Sequence, residues 1–153
     1  MVRGEVYNHL PQPSIIMDKI QIKINYSWQD LDQDMKRARV RILENPSMPV
    51  KDIYAIMRGG LVPGVYLSHL LDLPMLKNKR DISNHTLVVD DICDSGRTMI
   101  KFLSELEVKP WTLSIFHKPS SEFEPNIWLR RTVNWQIFPW ESLKSSKYDS
   151  TDI

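Results

Sequence analysis

The sequence predicts a single doubly wound α/β domain, a central and mainly parallel sheet flanked by helices. Three observations predict it. Short apolar runs at 53–57, 87–89 and 112–116 have strand length and are separated by helical patterns, the order expected of a parallel sheet with helices on both faces. The first two runs lead into polar, glycine-bearing turns, and ligands of such sheets bind beyond the carboxyl ends of the strands. A chain of 153 residues, 42% hydrophobic and 25% charged, is long enough for one compact core and ordinary enough to exclude wholesale disorder.

Taken in order, residues 1–18 carry Pro11 and Pro13 without periodicity and read as an irregular leader, with the domain itself at 19–142. Ile20, Ile22 and Ile24 alternate with Gln21, Lys23 and Asn25, a half-buried strand pattern. Ser27 and Asp30 form a capping-box pair opening a helix over 28–43. That helix has acids early (Asp30, Asp32, Asp34) and bases late (Lys36, Arg37, Arg39, Arg41), the order that suits a helix macrodipole and a solvated face. Pro46 and Pro49 end it, and 53–57 is the first central strand. Leu61–Leu71 is a helix with Pro63 in its first turn, where proline is tolerated. Residues 74–76 read as a short strand, Met99–Leu106 as a helix and Thr112–Phe116 as another strand. The segment 143–153, rich in Ser, Lys and Asp, reads as a loose polar tail.

Net charge is +1, so no global field favours nucleic acid, and no nucleic-acid partner is expected. No apolar run has the length of a membrane span and the N-terminus has no hydrophobic signal core, so the expected location is cytoplasmic, away from membranes. The lone Cys93 fits a reducing compartment; among Asp90, Asp91 and Asp94 it reads as small filler, because neighbouring carboxylates disfavour a thiolate.

The most informative stretch is Thr86-Leu-Val-Val-Asp-Asp-Ile-Cys-Asp-Ser-Gly-Arg-Thr98. A buried strand runs into Asp90 and Asp91, then into a hydroxyl- and glycine-rich turn and a helix start. Backbone N–H groups and a helix N-terminus favour a phosphate, while the acids suit ribose hydroxyls or hydrated Mg²⁺. The stretch resembles the phosphoribosyl-pyrophosphate (PRPP) motif of type I phosphoribosyltransferases. Ile56-Met-Arg-Gly-Gly-Leu-Val-Pro-Gly64 resembles the pyrophosphate loop of the bacterial xanthine-guanine enzymes. Its glycines admit close backbone approach and Arg58 supplies charge. Ile115-Phe-His-Lys-Pro119 and Asn134-Trp-Gln-Ile-Phe-Pro-Trp-Glu141 are similar to that family's purine-binding hood, placed at about 118–142.

The resemblance implies the type I phosphoribosyltransferase fold with a small C-terminal hood, and a non-proline cis peptide at Met57–Arg58. It implies a Mg²⁺-dependent glycosyltransferase of purine salvage, moving 5-phosphoribose from PRPP to N9 of guanine, xanthine or hypoxanthine, with release of pyrophosphate and formation of GMP, XMP or IMP. Carried over, Asp94 is the catalytic residue facing purine N7. Arg58, Gly59, Gly60, Asp90, Asp91, Ser95, Gly96, Arg97 and Thr98 bind PRPP and its phosphates, with Asp91 also at the metal. Lys118 donates to the purine 6-oxygen, Trp135 stacks on the base and the Gln136 backbone accepts from the 2-position. Relatives pair near the site, which implies a homodimer or homotetramer.

Two features depart from the family. The long lid before the PRPP motif is missing, since only 77–85 precede the strand. Lys77, Lys79 and Arg80 either replace part of its charge or form an ordinary solvated loop. Arg97 stands where a small residue is common and either adds a phosphate contact or points to solvent. The shortened lid leaves open an alternative, a non-catalytic PRPP- or nucleotide-sensing regulator of the same fold.

Overall fold

The computed structural model describes residues 22–142, so the expected leader at 1–18 and tail at 143–153 lie outside it. The elements are β1 (Lys23–Asn25), α1 (Trp28–Leu43), β2 (Asp52–Ala55), α2 (Leu61–Leu71), a 3₁₀ turn (Lys79–Asp81), β3 (Thr86–Cys93), α3 (Arg97–Ser104), β4 (Trp111–His117), β5 (Ile127–Arg131) and β6 (Trp135–Ile137). The main sheet has the order β2-β3-β4-β5 and is parallel throughout. The short strand expected at 74–76 is reduced to one parallel bridge, Met75 to Ile53, at the outer edge of β2.

Side-chain alternation along the strands assigns the layers. Ile53, Leu87, Val89, Leu113 and Ile115 are buried in one cluster with Leu31, Met35, Ala38 and Ile42 of α1 and Leu67 of α2. Tyr54, next to Ile53, faces the other way and meets Phe102 of α3 at 5.4 Å between ring centroids. Helices therefore cover both faces, α1 and α2 on one and α3 on the other. This is the α/β fold the sequence predicts.

β3 is longer than its apolar run suggests. Asp90 and Asp91 lie within the strand rather than after it, because pairing with β4 continues to Cys93 opposite His117. β5 ends in two arginines that obscure it in the sequence; it pairs in parallel with β4 at the sheet edge, with Ile127 and Leu129 buried.

β1 and β6 form a separate two-stranded parallel ribbon, with Ile24 opposite Gln136. A strand forms at Lys23–Asn25 but all its residues are exposed, so it is not half-buried there; Ile20 and Gln21 of the same pattern lie outside the described residues. The strand lies off the main sheet and pairs with β6. The ribbon is anchored by Tyr26, whose ring meets Phe116 of β4 and Phe138 edge-to-face at 5.2 and 5.5 Å.

The capping box of α1 is present, with the Asp30 N–H donating to Ser27 Oγ at 3.0 Å and the Ser27 N–H to Asp30 Oδ2 at 2.9 Å. The charged face of α1 is not merely solvated. Asp34 is fully buried and accepts from Tyr26 Oη at 2.8 Å, Arg130 Nε at 2.7 Å and Arg37 Nη1 at 3.1 Å. Arg39 donates to the Leu70 carbonyl and Arg41 to the Trp128 carbonyl, tying α1 to α2 and β5. Burial and the adjacent Asp34 push the Tyr26 hydroxyl far above its usual pKa, so it stays protonated and donates.

Candidate active site

The carboxyl ends of β2 and β3 bring the two glycine-bearing turns together. After β2 the peptide Met57–Arg58 is cis, as the family resemblance implies. The Ile56 N–H donates to the Val89 carbonyl at 2.9 Å and the Gly60 N–H to the Ile56 carbonyl at 2.9 Å, which holds the loop against β3. A Cβ on Gly59 would lie 2.1 Å from Asp91 Oδ2, and one on Gly60 would lie 2.2 Å from the Val89 carbonyl oxygen. Glycine is required at both positions because the loop backbone rests directly on the acidic strand.

Asp90 and Asp91 share a crowded site. The Asp91 N–H donates to Asp90 Oδ1 at 2.9 Å, and the Ile92 N–H to Asp91 Oδ1 at 2.7 Å. Burial first, and the neighbouring Asp91 charge second, raise the Asp90 carboxyl well above the usual range. Burial pushes Asp91 up to about 6 against the hydrogen bonds it accepts, and the Glu141 carboxylate adds to the rise. Glu141 is a member of the site that the sequence reading left without a role. Its Oε2 accepts from the Phe138 N–H at 2.9 Å and its own N–H donates to the Phe138 carbonyl at 3.0 Å, closing a turn over Phe138–Glu141. The signal was the acid following Pro139-Trp140; its meaning needed the fold.

The turn after β3 begins with Asp94 and reaches Gly96 at φ +83°, a left-handed conformation that favours glycine. Gly96 then opens α3 with no side-chain cap and no acid in the first turn. Apart from the Arg97 N–H, the N-terminal N–H groups and positive end of α3 are thus left for an anion, with Ser95 and Thr98 beside them. Ser95 Oγ accepts from the Arg97 N–H at 3.3 Å. The Arg97 side chain is exposed and lies 3.5 Å from Glu122, so it pairs there.

Lys118 follows β4 directly. Its side chain is 11% exposed, and Nζ lies 3.0 Å from Asp94 Oδ1. A nearly buried ammonium is thereby fixed against the first residue of the phosphate-type turn. Trp135 is 39% exposed on β6. Gln136 is buried, with Nε2 donating to Thr132 Oγ1 at 2.8 Å. The Trp135 N–H donates to Ile22 and the Ile137 carbonyl accepts from Tyr26. Parallel alternation therefore turns the Gln136 backbone toward the ribbon's other edge.

Lys79 does not face this site. It pairs with Glu105 just beyond the last residue of α3, and its Nζ lies 4.3 Å above the Phe102 ring. That position is at the opposite end of α3 from the glycine turn. Cys93 is buried beside Ser121, and burial raises its thiol pKa, in keeping with a filler role.

No family model matches the chain. It is 26% identical over 138 residues to a xanthine-guanine phosphoribosyltransferase of Nitratidesulfovibrio vulgaris, covering 76% of this chain and 83% of that protein. A solved purine phosphoribosyltransferase of Pyrococcus horikoshii superposes with a TM-score of 0.66 at 27% identity, over 78% of this chain and 95% of that one. The xanthine-guanine-hypoxanthine phosphoribosyltransferase of Helicobacter pylori shares the fold, with a TM-score of 0.70 at 24% identity, over 86% and 99%.

Proposed function

For a chain that has the type I phosphoribosyltransferase fold and resembles the xanthine-guanine enzymes, we propose a purine phosphoribosyltransferase that moves 5-phosphoribose from PRPP to N9 of a 6-oxopurine. Guanine, xanthine and hypoxanthine are the acceptors, and pyrophosphate leaves as GMP, XMP or IMP forms. The carrying observation is the pair of Lys118 Nζ and Asp94 Oδ1 at 3.0 Å. It joins a cationic donor suited to a 6-oxo group to a carboxylate at the start of the turn that suits the 5-phosphate. An ammonium has only donors, so it favours an oxo group over the amino group of adenine.

In this reading the α3 N-terminus, Ser95, Gly96 and Thr98 hold the 5-phosphate. Asp90 and Asp91 hold the ribose hydroxyls. Arg58 and the backbone at Gly59 and Gly60 face the diphosphate, whose charge grows as the anomeric carbon–oxygen bond opens. Asp94 faces N7 of the incoming base and shares its proton. Trp135 stacks on the purine, and the Gln136 backbone meets the 2-position.

Among the described residues no three metal-ligating side chains converge, so a divalent cation here would rest on one or two carboxylates together with water and substrate oxygens. Burial raises the Asp90 and Asp91 carboxyls, and the neighbouring Asp91 and Glu141 charges add to the rise, so a cation beside them would favour their charged forms. Asp91, with Glu141 nearby, would hold Mg²⁺ through oxygen ligands and water. When bound, that ion supplies charge stabilisation to the leaving diphosphate. Beyond the short segment at 77–85, no observation favours the alternative of a non-catalytic sensor.

Lys118→Ala tests the assignment of the base site. The preference in kcat/KM for guanine over adenine is expected to fall by about tenfold or more. An unchanged ratio contradicts the role of Lys118.

A further inference from the structure

We propose that Ser121 is a positioning residue that locks the phosphate turn in register with Lys118, so that the phosphate and base sites are organised as one unit. The inference rests on the transfer reaction proposed above and assigns a role to a segment, 118–123, that the reaction itself does not use beyond Lys118.

This segment wraps behind the turn. The Lys118 N–H donates to the Cys93 carbonyl at 3.0 Å, and the Glu122 N–H donates to the Ser95 carbonyl at 2.8 Å. Those two bonds bracket Asp94. Between them stands Ser121, whose N–H closes a turn onto the Lys118 carbonyl at 2.9 Å. Its hydroxyl donates to the Phe123 carbonyl at 2.7 Å, accepts from the Phe123 N–H at 3.2 Å and lies 3.3 Å from Cys93 Sγ. The Phe123 carbonyl also lies 3.2 Å from Nε2 of His117, the residue before Lys118.

The same hydroxyl stands directly against the turn. A Cβ on Gly96 would lie 2.6 Å from Ser121 Oγ and 2.7 Å from the Phe123 nitrogen. One side chain thus touches the strand residue before the turn, the glycine that ends it and the loop that begins at Lys118. A shift of the turn of a few tenths of an ångström must displace Ser121 or Lys118 with it. Effective positioning of two substrates depends on this kind of rigid reference between their sites.

Removing the hydroxyl should loosen the register without removing any group that contacts substrate. The test compares wild type, Ser121→Ala and Ser121→Thr, first by PRPP binding calorimetry without base and then by steady-state kinetics. Ser121→Ala is expected to raise the PRPP Kd and KM by about fivefold or more. It should also raise the KM for the base by a similar factor, since the base site shares the same reference. Ser121→Thr, which keeps the hydroxyl, should restore both. Ser121→Cys keeps the bulk with a weaker donor and serves where the alanine variant does not fold, its values lying between the two.

Values for Ser121→Ala within twofold of wild type overturn the proposal. So does an effect confined to melting temperature, or one that threonine does not rescue. Should wild type bind PRPP but turn over no base, the transfer reaction fails, while the PRPP affinities still decide the role of Ser121.

Discussion

At the scale of single residues, the acidic pair determines how the site responds to pH. Asp91 titrates near 6 in the folded chain against an ordinary value of 3.8. A carboxyl raised on folding favours the native state while protonated, so its contribution is present below about pH 4. It is lost as pH rises through 6. Asp91→Asn keeps the shape and an acceptor for the Ile92 N–H but removes that charge. In metal-free buffer the variant should melt at the same temperature as wild type near pH 4, and about 2–4 °C higher at pH 8. The gap should open as pH rises through about 6 and widen where Asp90, raised in part by the Asp91 charge, ionises in turn. Differential scanning calorimetry across that range checks it, and a gap independent of pH contradicts the electrostatic origin. Adding PRPP with Mg²⁺ should stabilise wild type and not the variant.

At the scale of elements, one buried charge joins the aromatic contacts of Tyr26 in tying the ribbon, α1 and the main sheet together. Asp34 is fully enclosed and is held by Tyr26 before α1, Arg37 on α1 and Arg130 on β5. Arg130 also reaches Asp30 of the capping box at 3.2 Å. Arg130→Met would leave a buried carboxylate short of its best cation, at a cost of about 2–3 kcal/mol, taken below the range for fully buried pairs because the Arg130 side chain is 33% exposed. Chemical denaturation measures the loss; a change under about 0.5 kcal/mol would show that Arg37 and Tyr26 suffice. This network illustrates what the sequence could not disclose. The acid-to-base order along α1 suited a macrodipole and a solvated surface, and Asp34 looked like one more exposed acid. Its true partners, Tyr26 and Arg130, become neighbours only when β5 docks beside the helix. β5 itself was hidden for the same reason, since its arginines break the apolar pattern that would have marked a strand.

At the scale of the whole molecule, what was legible is what is local in sequence. The pyrophosphate-type loop and the stretch from Thr86 to Thr98 each encode strand, turn and helix start in one contiguous run, so their chemistry could be read directly. That they meet follows from the parallel topology, and the close approach of Gly59 to Asp91 confirms it. Glu141 and Ser121 act across elements far apart in the chain, and no local pattern announces them. The apolar groove of about 600 Å³ along α2, lined by Leu61, Val62, Val65, Tyr66, His69 and Leu70, carries none of this polar chemistry. No helix among the described residues is long and apolar enough to cross a membrane.

The central proposal is transfer to a 6-oxopurine by a chain without a long lid, and one measurement addresses it most directly. Purified protein is incubated with PRPP, Mg²⁺ and, separately, guanine, xanthine, hypoxanthine and adenine, and nucleotide is quantified by chromatography beside released pyrophosphate. Equimolar nucleotide and pyrophosphate from the oxopurines, with adenine left unused, is the expected result. Adenine as the preferred acceptor, or no product from any base by protein that binds PRPP, would contradict it.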